Sequence, residues 1–467
     1  MPGPIHAHVV THGVQAGARL DRLPICGFHW RIFSLIGAGM FLDAFELYLT
    51  GGVLGALVST GFSTMALNAT FITVTFLGMV VGAWLAGVLG DRFGRRFSYQ
   101  INLLLFGIAS LAAFFAPDMR VLTALRFVMG LGLGAEIVVG YAALTEFVPP
   151  AQRGWWVTLL AVVTNMALFI ASLMGTWIIP RFGWQYMFLI VGVAAIIVWL
   201  LRKSMPESPR WLESKGRLVE AEAVLARIEA EAARKAPLPP IVANPAVLDE
   251  PVGISILFSP AVLRRTLIGM MIHITTGLVV YGFIVWMPSF LVRSGQTVAA
   301  SLTFTTIMSL GGPVGALIGM FTADRFGRRP VVAIASLAAA LCGAVFPNVS
   351  DPTLVLMAAF GMVTGIYTMI AVGFALLVPE MFPTQYRFRG AGLCGTAGRL
   401  AAASVQYLVP WAFALGGLSL VVGIMSGVLA LQGVLMFAFG IETRRKSLEV
   451  LAPANSEDHS HPVPSTS

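Results

Sequence analysis

The stretch Gly90-Asp-Arg-Phe-Gly-Arg-Arg96 recurs as Ala323-Asp-Arg-Phe-Gly-Arg-Arg329, each copy set between long apolar runs. The repetition is wider than the loop. Leu77-Gly78 and Val81-Gly82-Ala83 map onto Leu310-Gly311 and Val314-Gly315-Ala316, and Glu146, Pro149 and Arg153 onto Glu380, Pro383 and Arg387. A charged loop written twice with its apolar surroundings means an internal repeat, so the chain divides into two similar halves.

The surroundings decide the solvent. Of 467 residues, 57% are hydrophobic and only 11% charged, against about 25% charged in a soluble domain. Such a chain cannot cover itself with charge, so its outer face must meet lipid. Apolar segments of spanning length fall near 32–58, 67–90, 97–116, 120–146, 154–178 and 183–203, then near 266–292, 298–322, 331–347, 352–379, 388–414 and 416–440. The predicted fold is an all-α membrane protein of twelve transmembrane helices in two pseudo-symmetric six-helix halves. The expected divisions are an N-terminal tail 1–31, a first half 32–203, a linker 204–260, a second half 261–440 and a C-terminal tail 441–467.

Charge sets the orientation. The net charge is +8, yet the basic residues form no continuous soluble face, so nucleic acid is not an expected partner. All 30 Lys and Arg residues except Arg120, Arg181, Arg293, Arg126 and Arg399 lie in the tails and even-numbered loops. By the positive-inside rule both termini are expected in the cytoplasm. Within the linker, 217–231 alternates charge and apolar residues at helical spacing, which predicts an amphipathic helix on that face. Residues 1–28 lack the apolar segment of a cleavable signal peptide, and 450–467 read as disordered. Cys26, Cys342 and Cys394 are too few and scattered for a disulfide framework, and His6, His8 and His12 read as part of a flexible tail. Neither a metal site nor a cofactor is expected.

The loops resemble those of the major facilitator superfamily, whose signature between spans 2 and 3 matches Gly87 to Arg96. Arg126 through Glu136, with its alternate glycines, and Pro206-Glu-Ser-Pro-Arg-Trp-Leu212 are similar to sugar porters and organic-ion transporters. Glu380-x2-Pro-Thr384 with Gly398-Arg399 resembles the bacterial aromatic-acid and niacin-type symporters. The resemblance implies a secondary active transporter that needs no enzyme chemistry. A cytoplasmic gate is expected at Asp91, Arg92, Arg95, Asp324, Arg325 and Arg328, joined by Glu146, Arg153, Glu380 and Arg387. Physically, the two Asp carboxylates could accept from neighbouring helix N-termini and pair with Arg. The alternative is that these arginines only fix topology.

Ionisable residues inside spans are costly, by about 2.5–3.5 kcal/mol on insertion scales, and so are functional candidates. Here they are Asp43, Glu46, Arg126, Glu136, His273 and Arg399. Glu46 on span 1 and Arg126 on span 4 reach similar depths, and Asp43 shares a helix face with Glu46. Asp43-Ala-Phe-Glu46 resembles the acidic pair of the aromatic-acid symporters, which implies proton coupling through Asp43, Glu46 and Arg126; a static ion pair is the alternative. Arg399, near mid-bilayer with no acid nearby in sequence, is the expected carboxylate anchor, with His273 at similar depth to donate to the same group or carry a proton; the alternatives are an Arg paired to another helix and a His satisfied by a backbone carbonyl. Tyr48, Tyr281 and Tyr367 are expected to line the substrate cavity; Tyr141, Trp286 and Tyr407 are weaker candidates. Glu136 is expected in an inner gate or a structural pair. The expected cargo is a small organic anion, such as an aromatic monocarboxylate, moving with protons through a protein that works as a monomer in the inner membrane. A sugar or polyol is the rival, disfavoured because spans 5 and 7 lack the Gln residues of sugar porters. A transporter-fold sensor would need a signalling domain that neither tail is long enough to hold.

Overall fold

The computed structural model describes residues 14–241, 254–349, 351–382 and 386–443, and within them every regular element is helical. Spans 1 to 6 are Gly27–Ser59, Met65–Phe93, Arg95–Ala113, Met119–Phe147, Arg153–Phe182 and Gln185–Arg202. Span 7 runs Pro260–Val279, widens into a π turn at Val280–Ile284 and resumes at Met287–Arg293. Span 8 joins Val298–Ser309 to Gly311–Phe326, and span 9 is Arg328–Val345. Span 10 is Pro352–Met369, a π stretch Ile370–Leu377 and Val378–Met381. Spans 11 and 12 lie in Arg387–Phe439, divided by non-helical backbone at Gly416 and Gly417. Pro288 and Pro379 cannot donate to the carbonyls of Ile284 and Ala375. Both carbonyls belong to the widened turns, where the ladder has already shifted.

The repeated loop turns in the same way twice. Gly94 has φ 102° and Gly327 φ 100°, a region open to glycine and closed to most side chains. The helix that follows each turn presents bare N–H groups, and a glutamate from beyond span 6 or span 12 accepts them. Glu207 takes Arg96 N at 3.2 Å; Glu442 takes Arg328 N at 3.0 Å and Arg329 N at 3.1 Å. For Asp324 the expected pairing with arginine is present, to Arg328 at 2.7 Å, and only the capping part is corrected: its side chain is 85% exposed and caps no helix among the described residues. The Asp sits on the last turn of span 8 facing water, while the Glu returns from outside onto the helix axis. The outer ends repeat as well, with Asp118 and Asp351 each accepting two N–H groups as N-caps of spans 4 and 10.

Glycine seams hold each half together. A Cβ on Gly82 would lie 2.0 Å from Leu131 O, and one on Gly134 2.0 Å from Met79 O; Gly78 and Gly130 meet Cα to backbone between them. Spans 2 and 4 thus cross on two small-xxx-small motifs. Gly311 and Gly315 of span 8 make the matching approach to Phe360 O and Thr364 O of span 10.

The linker forms two helices, Pro209–Ser214 and Leu218–Ala233, and the second agrees with the amphipathic expectation. The N-terminal helix Ala16–Asp21 docks on them. Arg19 binds Glu222 and Glu229, Arg22 binds Glu229, and Asp21 takes Arg210. Apolar Leu20 and Leu23 share a buried cluster with Leu225 and Ile228. The expectations for His6, His8, His12 and 450–467 fall outside the described residues.

Candidate functional site

The halves meet on the side of the bundle away from the linker. Gly51 of span 1 lies so near span 7 that a Cβ would stand 2.8 Å from Val285 O, and Gly55 packs on Pro288. The hydroxyls of Thr176 and Thr306 bond at 2.7 Å between spans 5 and 8, and Thr73 donates to Ala403 O at 3.1 Å between spans 2 and 11. Beneath this seal lies a cavity of about 190 Å³ lined from both halves. The first half contributes Asp43, Tyr48, Tyr141 and Asn165; the second contributes His273, Tyr281, Phe374 and Arg399.

Glu46 and Arg126 form a fully buried ion pair beside the cavity, as their depths suggested. The guanidinium also donates to Thr75 Oγ1 at 3.0 Å, to Glu46 O at 3.1 Å and to Thr50 Oγ1, and lies over the Phe71 ring at 5.0 Å. The glycine seam between spans 2 and 4 brings Thr75 within reach. Glu46 Oε2 has no hydrogen-bond partner among the described residues. Asp43, one turn toward the linker, faces the cavity; its Oδ2 is buried and unpartnered.

Glu136 sits in a buried pair, one of its two expected settings, and its partner is the residue that sequence reasoning missed: Arg202, at the end of span 6, which charge distribution alone places with the cytoplasmic loop. It turns inward to Glu136 and donates to Leu35 O at 2.9 Å and Ile36 O at 3.1 Å on span 1. Gly39 makes the room: a Cβ there would stand 2.0 Å from Arg202 Nη2 and 2.5 Å from Glu136 Oε1. The signal available was an acid in span 4 lacking an obvious base, together with Gly39 one turn before Asp43.

In the second half, Gly398 lets span 11 touch span 7 at His273, where a Cβ would lie 2.7 Å from the His273 carbonyl. The next residue, Arg399, consequently lines the cavity, and it has no hydrogen-bond or ion-pair partner among the described residues. His273 Nδ1 donates to Gly269 O at 3.0 Å, which leaves Nε2 as an acceptor, and its ring lies 4.1 Å from that of Phe374.

Of the aromatic candidates, Tyr48, Tyr141 and Tyr281 line the cavity. Tyr367 does not; it is fully buried behind Tyr48, with ring centroids 6.4 Å apart. Trp286 is a packing residue that donates to Gln406 at 2.7 Å, and Tyr407 lies on the outer surface, 53% exposed. At the linker face, Arg328 binds Asp324 and Glu380 within the second half, and Arg153 pairs with Asp21 at 3.6 Å within the first. Glu146 is half-buried, while Arg92 and Arg325 are exposed over Phe93 and Phe326. The side chains of Asp91, Arg95 and Arg387 lie outside the described residues.

The family described as sugar (and other) transporter matches residues 46–454. The inner membrane metabolite transport protein YdjE of Escherichia coli is 36% identical, with 94% of this chain and 99% of that protein covered. The niacin transporter NiaP of Acinetobacter baylyi is 30% identical, covering 92% and 98%. Among solved structures, the partially occluded inward open xylose transporter XylE of E. coli superposes with a TM-score of 0.73 at 20% identity, over 90% of this chain and 99% of that one.

Proposed function

Because the chain belongs to the sugar (and other) transporter family of the major facilitator superfamily, and is therefore a multi-pass secondary transporter rather than an enzyme, we propose that it carries a small organic anion, an aromatic monocarboxylate, together with protons. The observation that carries this reading is Arg399: a cavity-facing guanidinium with no hydrogen-bond or ion-pair partner among the described residues, beside an aromatic wall. A planar fork of donors suits a carboxylate, and Phe374, Tyr281 and Tyr48 suit a flat ring. The niacin transporter among its relatives moves a ligand of that kind by name.

Proton movement is assigned to Asp43, Glu46 and Arg126. While Arg126 holds it, Glu46 stays ionised; freed into a low-dielectric site, it takes a proton. Asp43 meets the cavity directly and neutralises when the anion reaches Arg399. The linker face is cytoplasmic in this reading, from the distribution of Lys and Arg, and its charged residues, among them Asp91, Arg92, Arg95, Arg325, Glu146 and Arg387, form the inner gate. The protein acts as a monomer in a bacterial inner membrane. Alternating access then opens one face at a time around a fixed midplane site.

A sugar is the second reading, favoured by the likeness of fold to the xylose transporter and by Thr164, Asn165 and Thr276 in the cavity wall. Calorimetric titration of the purified protein with nicotinate and with D-xylose separates the two. Saturable heat with nicotinate, and uptake into energised vesicles that collapses with a protonophore, is the expected result. Binding of xylose alone reverses the assignment.

A further inference from the structure

Resting on the proton-coupled reading above, we propose that Glu136, paired with Arg202, is a proton relay that takes the proton from Asp43 toward the linker face by a route separate from the substrate cavity. The juxtaposition is built by span 1. Gly39, Asp43 and Glu46 fall on one face, at steps of roughly 4.5–6 Å along the axis. The Glu136 carboxylate rests against Gly39, so it is the next carboxyl below Asp43. The charged and titratable groups facing it are Asp43 on span 1, Arg202 on span 6 and the Tyr99 ring on span 3, 5.2 Å from the Arg202 guanidinium.

Polar satisfaction points the same way. Asp43 Oδ2, Glu46 Oε2, Glu136 Oε2 and Arg202 Nη1 are all buried without a hydrogen-bond partner among the described residues. One orphan could be a packing defect; two on one face of span 1, with two more set near Gly39 of that helix from spans 4 and 6, leave four polar groups that a water entering the seam would satisfy, since water needs two to four such partners.

The transfer balances. Protonated Asp43 gives its proton to a seam water, which passes one of its own to the Glu136 carboxylate. Asp43 is left ionised and Glu136 neutral, and Arg202 keeps its contacts to Leu35 O and Ile36 O. Glu136 then releases the proton toward the linker side and pairs with Arg202 again. A substrate anion filling the cavity covers Asp43 on that side, and a path through the helix bundle gives the proton an exit that does not cross the substrate.

The test has two arms. Infrared difference titration of the purified, ligand-free protein reads protonated carboxyl bands in the parent, in Glu136→Gln and in Asp43→Asn. The relay requires a band that Glu136→Gln removes and that Asp43→Asn shifts in pH. Superimposable titrations of parent and Glu136→Gln overturn it. In the second arm, proteoliposomes carry nicotinate. Glu136→Gln should lower proton-driven net uptake roughly tenfold or more while leaving counterflow, which needs no net proton movement, within about twofold; Glu136→Asp should restore part of the loss. Equal loss of both, with a lowered Tm, makes Glu136 a strut. A parent protein that does not take up nicotinate refutes the carboxylate reading, and the infrared arm still judges the relay.

Discussion

Two arginines at cavity depth mark the residue scale. Arg126 engages Glu46, Thr75 and Thr50, whereas Arg399 engages nothing among the described residues. The first is compensated by the fold; the second, on the proposed reading, is compensated by cargo. Arg399→Ala should therefore weaken nicotinate binding by about 2–5 kcal/mol, a loss of roughly 30-fold to several-thousand-fold in affinity. Arg399→Lys should recover little, because an ammonium lacks the planar fork. Titration calorimetry checks both, and normal binding by Arg399→Ala would make it structural. For Arg126 the stability test runs the other way. Arg126→Met strands a buried Glu46 carboxylate and should destabilise by about 3–5 kcal/mol, and adding Glu46→Gln should recover much of that. Thermal melting in detergent reads the difference, and a double variant no more stable than the single one would refute the pairing account.

Glycine decides where helices can touch at the scale of elements. Gly82 and Gly134 leave no space for a side chain between spans 2 and 4, and that approach sets Thr75 against Arg126. Gly134→Val should cost about 1–3 kcal/mol or more by overpacking and should also disturb transport. Gly423, with nothing near its missing Cβ, is the control: Gly423→Ala should leave folding and transport unchanged. Melting temperatures of the two variants test the contrast. The π turns in spans 7 and 10 are the other element-scale feature, and both flank the cavity through Val280, Tyr281, Ile370 and Phe374.

Across the whole molecule, two assemblies hold the observed state. Gly51 and Gly55 allow the halves to close against Val285 and Pro288. Gly51→Leu should hold that face apart, leaving binding intact while abolishing transport; a variant that still cycles would show that this seam is not the seal. The N-terminal clamp is the second assembly. Although burial opposes its ionisation, hydrogen bonds from Arg19 and Arg22 hold the Glu229 carboxyl below its ordinary value, and Glu229 and Glu222 raise the Arg19 guanidinium. A lowered carboxylate lends stability that is complete above its unfolded value, near pH 4.3, and is lost as pH falls through the folded value. Amide exchange in 16–23 and 218–233 should accordingly stay slow at neutral pH and quicken only below that range. Fast exchange at pH 7 would show that the clamp does not persist.

The repeat, the absence of enough charge for a soluble surface and the 3.6-residue register were legible in the chain itself. They gave the spans, the break near Gly416 and the Glu46–Arg126 pairing, because depth along a helix is arithmetic. Three things were decided only in three dimensions. Arg202 reads as a loop charge until span 6 is set against Gly39, since side-chain direction depends on rotation about the helix axis as well as on depth. Glu207 and Glu442 cap helices more than a hundred residues away in sequence, a contact that local spacing does not encode. Tyr367 has the depth of a cavity residue and the facing of a core one, because the glycines of span 8 draw span 10 in against it. Sequence fixes the height of each group in the membrane; the packing of neighbouring helices fixes which way it looks.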